Sequence, residues 1–285
     1  MNRALAALLA GAACIGLSPI FVRLSEAGPT ATAFWRVALA VAPLWLLWLV
    51  REPRGGGRYA GRWMLLAAAG VAFAGDLAFW HLAISYTSVA NSTLLANLAS
   101  IFVTLAAWLF LRHRPTPLFL AGLAAALLGV ALLVRTSLDF SPTALLGDAL
   151  GVVTAAFYAA YIFAVKALRD RGETTLGLMA LTTTLTAALL LPVALVSGET
   201  LLPSTAWGWS VLLGVALVSH AAGQGLIAYA LAHLPAAFSA VTLLLQPVLA
   251  ALFAWMLLGE ALVPLQIAGG AIVLVGIYLA RRGSL

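Results

Sequence analysis

Few side chains in this sequence can take part in chemistry, and nearly all of them sit inside long apolar runs. Asp76 and Trp80 lie four residues apart on one helix face, and His81 is one step round from it. His220 and Gln224 form a second pair at the same spacing in a later run, flanked by Gly223 and Gly225. Tyr158 with Tyr161, Asn91 with Asn97, Tyr86, and Gln246 followed by Pro247 complete the set. In hydrocarbon an ionisable or amide side chain is costly, which makes each a functional candidate by default. An acid beside an imidazole could sense protons, and Asp76 with His220 would make such a pair. Amides, hydroxyls and aromatic rings could hold a small organic solute. There is no H-x-x-x-H, no second carboxylate, no Ser-Lys dyad and no nucleophile with a base. Neither a metal site nor an intramembrane hydrolase is therefore expected. Nor is a cofactor: Gly55-Gly56-Gly57 follows no strand and reads as a flexible link, not a phosphate cradle.

Those residues must be carried by membrane helices. Hydrophobic residues make up 64% of the 285, charged residues 8%, and the mean hydropathy is +1.09. A soluble domain carries about a quarter charged residues. The net charge of +6 does not imply nucleic-acid binding, because the basic residues fall between apolar runs without a stripe or stacking motif. The single cysteine, Cys14, excludes an internal disulfide. Arg3 before an apolar run could open a cleavable signal, but with membrane sequence throughout, an uncleaved first helix is expected.

Ten apolar segments follow in order, among them 4–22 with Pro19, 30–50 after Pro29, 63–86, 117–135, 143–168, 174–196 and 207–232. At about 1.5 Å per residue, Asp76 falls within ~5 Å of mid-depth in the third. A polar link, Ser137 to Pro142, separates two halves of similar length. Overlaying them at a shift of about 147 residues aligns Pro117 with Pro264, Gly122 with Gly269 and Gly129 with Gly276. Five helices per copy is an odd number, so the copies must enter the membrane from opposite sides. The expected fold is an all-α membrane protein of ten transmembrane helices in two inverted five-helix repeats. Of the 15 basic residues, all but Arg23, Arg36 and Arg135 fall on one side, which places both termini in the cytoplasm. Trp63, Trp207 and Trp209 read as interface anchors. Polar groups concentrate on helices 3, 4, 6, 8 and 9, which should surround a central path, while helices 5 and 10 suit peripheral packing. Pro247 should break helix 9 near its middle, with the Gln246 amide placed to use a freed carbonyl.

The closing stretch carries further detail. Pro247 precedes a Leu258-Gly259-Glu260 turn, Pro264 opens the last run, and a glycine-rich helix ends at Arg281-Arg282. With Phe34-Trp35-Arg36 in helix 2, this pattern resembles the EamA-type transporters of the drug/metabolite transporter superfamily. Within the superfamily the chain looks most like bacterial amino-acid exporters, the YddG-type aromatic amino-acid exporters among them. The first half departs from the pattern where Arg112-His113 replaces Gly-Glu. The resemblance implies half-repeats at 1–136 and 143–282, no enzymatic activity, and export of a small solute from the bacterial inner membrane by alternating access. Amino acids are favoured, aromatic ones first, and other metabolites or drugs are the alternative. On that reading Trp80, Tyr86 and Tyr158 would stack on a ring, while His81, Asn97 and Gln246 would hold the amino and carboxyl groups. Tyr161, His220 and Gln224 would line the site, Asp76 would serve coupling and Pro247 gating. Arg36 is a weaker candidate for an anionic group, since it could snorkel outward. The expected partners are the solute and the lipid bilayer, with the protein a monomer or homodimer.

Overall fold

The computed structural model describes residues 2–52, 61–87, 89–112, 114–134 and 144–284. Gly55 to Gly57, His113, Arg135, the basic residues Arg54 and Arg58 and the Ser137 to Pro142 link, all of which entered the sequence reading, lie outside those residues, as does the side chain of Asn91. Among the described residues, ten helices are long and apolar enough to cross a membrane: α1 Asn2–Leu24, α2 Pro29–Arg51, α3 Trp63–Ile84, α4 Ser92–Phe110, α5 Pro117–Val134, α6 Leu145–Asp170, α7 Thr175–Val196, α8 Ala206–Leu231, α9 Ala236–Leu258 and α10 Pro264–Gly283. The protein is an all-α, multi-pass membrane protein. Large apolar side chains such as Met64, Phe110 and Val196 are exposed around it, as a lipid-facing surface requires.

Four of the helices are irregular. Helix α1 breaks at Leu17, where Ile20 N and Phe21 N both donate to Leu17 O, just ahead of Pro19. Helix α4 breaks between Ala96 and Ala99, and α9 between Thr242 and Leu245. In α9 the cause is Pro247, which has no N–H for Leu243 O four residues earlier. That carbonyl accepts instead from the backbone N–H of Gln246 at 2.9 Å. The expectation that the Gln246 side chain would serve it is therefore corrected: a tighter backbone turn serves it, and the amide is left over. Under the repeat shift Pro247 matches Ser100, whose hydroxyl donates to Asn97 O at 2.9 Å and whose N–H does so at 3.2 Å. One copy makes the break with a proline, the other with a serine. Helix α8 carries a ten-residue π segment, Val215–Gln224, a distortion frequent at functional sites.

The repeat is visible in the packing of α5 on α10. A Cβ built at Gly122 would meet Gly276 O at 2.6 Å, and one at Gly129 would meet Gly269 O at 2.6 Å. The two helices pack backbone to backbone, as small residues permit in membranes. Helix α3 packs on α6, α2 on α7 and α1 on α8, so each half completes its core with helices of the other. The turn after α9 ends in Gly259 with φ 70°, and its counterpart after α4 puts Arg112 at φ 57°.

Carboxylates tie the halves together at both ends of the bundle. Away from the termini, Glu199 accepts from Thr30 N at 2.7 Å and Ala31 N at 3.1 Å, capping α2. Glu26 accepts from Ser204 N at 2.9 Å and Thr205 N at 3.1 Å, at the start of α8. Arg23 pairs with Glu260 at that same end. At the end carrying the termini, Arg62 pairs with Glu173, which is fully buried.

Candidate functional site

Every helix irregularity described above faces one cavity of about 110 Å³. Gly16, Ser18 and Pro19 reach it from the break in α1, Thr93 and Asn97 from the break in α4, and Gln246 and Pro247 from that in α9. Gln224 enters at the end of the π segment, and Arg36, Asp76, Trp80 and Tyr158 arrive from α2, α3 and α6. The reason is physical: non-helical backbone at membrane depth persists only where it is buried in protein or lines a cavity.

The wall is partly apolar, with Ile15, Leu77, Ala96 and Ala250, and partly polar with unspent valence. Arg36 is buried; one terminal nitrogen donates to Ser18 Oγ at 3.0 Å, and its Nε has no acceptor among the described residues. The Tyr158 hydroxyl, Gln224 Oε1 and Gln246 Nε2 are buried and likewise without a partner. The Tyr158 hydroxyl stands beside both amides without closing a bond of good geometry to either. Asn97 spends its Nδ2 on Thr93 O at 2.7 Å. Asp76 lies within reach of the Arg36 charge but forms no ion pair with it and receives no hydrogen bond among the described residues. Groups left unsatisfied in a buried cavity are what a polar ligand would satisfy.

The structure gathers Asp76, Trp80, Asn97, Tyr158, Gln224, Gln246 and Pro247 at this cavity and leaves four named residues away from it. His81 is turned back on its own helix, its Nδ1 2.7 Å from Leu77 O. His220 meets Thr183 Oγ1 at 2.8 Å and stacks on Phe73 at 5.3 Å, so it makes no pair with Asp76. Tyr161 is buried, its ring 4.7 Å from that of Phe73 and 6.1 Å from that of Tyr158. Tyr86 lies in the exposed turn after α3. A step of one or three residues round a helix is enough to move a side chain from cavity to core.

With the geometry in view, likeness to known proteins is informative. The model of the EamA-like transporter family matches residues 2–135 and 145–282. The chain belongs to the EamA-like transporter family. This EamA-like protein is 32% identical over 273 residues to an uncharacterized transporter of Archaeoglobus fulgidus, covering 91% of each chain. It is 34% identical over 175 residues to the threonine/homoserine exporter RhtA of Escherichia coli, covering 59% of this chain and 56% of that one. The pseudopaline exporter CntI of Pseudomonas aeruginosa is 28% identical over 279 residues, 96% of this chain and 95% of its own. A solved crystal structure superposes with a TM-score of 0.87 over 99% of this chain and 98% of that one at 16% identity, which shows a shared fold. The family makes the protein a transporter of the drug/metabolite transporter superfamily.

Sequence reasoning underrated Arg36 and passed over Ser18 and Thr93 in this EamA-like site. Arg36 lies two turns inside α2, close enough to its start for snorkelling to be expected, and only the contact with Ser18 from α1 shows that it turns inward. A serine or threonine in an apolar run carries no sequence signal for a cavity, since most bond their own helix.

Proposed function

We propose that this protein exports amino acids across the bacterial inner membrane by alternating access, with both termini in the cytoplasm. The observation that carries this reading is the cavity at the three helix breaks, where an arginine, an acid, three amides and a tyrosine face an apolar wall containing Trp80. A small solute with a polar head and a side chain suits that lining. The names of relatives support it: besides the threonine/homoserine exporter, a probable terminal-alkyne amino-acid exporter of Streptantibioticus cattleyicolor is 32% identical over 199 residues, 68% of this chain and 65% of its own. Trp80 and Tyr158 favour an aromatic or otherwise flat side chain. The inward position of both termini rests on the arginine bias. In the cycle, the halves rock about the cavity while its breaks give α1, α4 and α9 separate upper and lower arms. A second reading, export of another metabolite, draws on the nearly full-length likeness to the pseudopaline exporter.

The experiment is counterflow in liposomes containing the purified protein, with each of the twenty common amino acids tested as the unlabelled internal solute. Uptake of a labelled amino acid above protein-free liposomes is expected, and uptake falls in Trp80→Ala. No counterflow with any amino acid would overturn this reading.

A further inference from the structure

We propose that Arg36 and Asp76 form a two-point clamp for a zwitterion, Arg36 taking the carboxylate and Asp76 the ammonium group of one α-amino acid. The inference rests on the amino-acid reading above and specifies how that site tells its substrate from neighbouring chemistries. Arg36 is buried, carries five N–H donors, bonds Ser18 through one terminal nitrogen and leaves Nε without an acceptor. Asp76 faces the same cavity from α3, accepts no hydrogen bond among the described residues, and stands more than 4.0 Å from the guanidinium nitrogens.

Two opposite charges in a half-dry cavity attract strongly. They stay apart here because they stand on different helices and Ser18 holds the guanidinium toward α1. A gap between fixed opposite charges fits a solute that carries both charges on one carbon. The spare valences are arranged for it as well. Gln224 Oε1 is an acceptor for an ammonium hydrogen, while Gln246 Nε2 and the Tyr158 hydroxyl are donors for a carboxylate.

A solute with only one charge leaves the other wall charge unmatched. An amine without a carboxylate presents its charge to Asp76 and strands Arg36. An N-acylated acid satisfies Arg36 and strands Asp76. A site built around buried polar groups rejects analogues lacking their partner by large factors, so single-charge analogues should bind at least about 100-fold more weakly.

The test uses the purified full-length protein in detergent. The twenty common amino acids are screened by shift in melting temperature, and the strongest binder is titrated calorimetrically beside its methyl ester, its N-acetyl derivative and its decarboxylated amine. All three should lose at least about 100-fold. In Asp76→Asn the discrimination against the N-acetyl form shrinks, and in Arg36→Gln that against the amine and the ester shrinks. Arg36→Lys, which keeps the charge, should retain the wild-type order. If an amino acid binds and its single-charge analogues bind within about threefold, the clamp is overturned while amino-acid export stands. If none of the twenty binds, both fall together. The wild-type titrations decide the matter even where a variant does not fold.

Discussion

Gly129 and Gly269 each present a backbone carbonyl to the place where the other's side chain would stand, at 2.6 Å in both directions. The pair sits across the two halves, and Gly122 with Gly276 repeats it nearer the termini. Such reciprocity is what an inverted repeat produces where equivalent helices meet at its axis. It also leaves no room, because the opposing atoms are backbone and cannot turn aside. Gly129→Leu should therefore destabilise the protein by roughly 1–3 kcal/mol or prevent α5 from seating. Melting temperature and monodispersity in detergent read this out, and an unchanged melting temperature would remove the glycine contact from the core.

Arg112 occupies the left-handed position that its counterpart fills with Gly259. A residue with a Cβ costs roughly 1–2 kcal/mol there. Arg112→Gly should raise the melting temperature while leaving counterflow at the wild-type rate. A lower melting temperature would mean that the Arg112 side chain makes a stabilising contact larger than the strain.

Glu173 is fully buried, and Arg62 from the loop before α3 pairs with one of its oxygens. Removing the arginine strands a carboxylate, at a cost on the order of 3 kcal/mol. Arg62→Ala should melt well below the wild type, and Arg62→Ala with Glu173→Gln should recover part of the loss. If the double variant is no better than the single, the two residues do not act as a pair.

Glu26 receives hydrogen bonds from Ser204 and Thr205, the Thr205 hydroxyl foremost, and these hold its carboxyl below its ordinary value of 4.5. A carboxylate with a depressed value in the folded state contributes stability above its unfolded value and loses it as pH falls through the folded one. The melting-temperature gap between wild type and Glu26→Gln should be full at pH 6 and close progressively below pH 4.5. A gap that stays constant down the series would show that charge has no part in this cap.

Pro247 fixes the turn that breaks α9, and Ala at 247 would return an N–H to Leu243 O. If the protein works by the proposed rocking cycle, Pro247→Ala should keep or raise thermal stability, retain solute binding and slow counterflow, because an unbroken helix lacks the separate arms that cycle uses. Ser100→Ala, which removes the matching hydroxyl in α4, should act in the same direction and more weakly. Wild-type rates in both would take the breaks out of the transport cycle.

What the sequence reveals here depends on whether a residue type has one structural meaning. The ten spans, Gly259 at its turn and the glycines shared by α5 and α10 were legible because hydropathy, left-handed backbone and close approach each demand few residue types. The break in α9 announced itself through Pro247. Its twin in α4 did not, because a serine like Ser100 is as common in straight membrane helices as in broken ones. Asp76 and Trp80, four residues apart, share the helix face that lines the cavity, whereas spacing gives no sign that His81, one residue further on, turns back on Leu77 O. Arg36 became informative only once α1 had been laid beside α2, a relationship that no local pattern encodes.

The exchanged carboxylate caps have a consequence for how the chain is made. Helix α2 begins at Pro29, yet the acid that caps Thr30 in its first turn is 169 residues beyond that threonine and leaves the ribosome only after α7 has been synthesised. Until then Thr30 and Ala31 wait with unclaimed N–H groups at the membrane surface. The start of α8, in turn, finds Glu26 already in place when it emerges. The later half is thus finished against an existing template and, in the same step, closes the earlier one. A chain severed in the link between the halves should consequently yield two fragments that accumulate only when they are produced together.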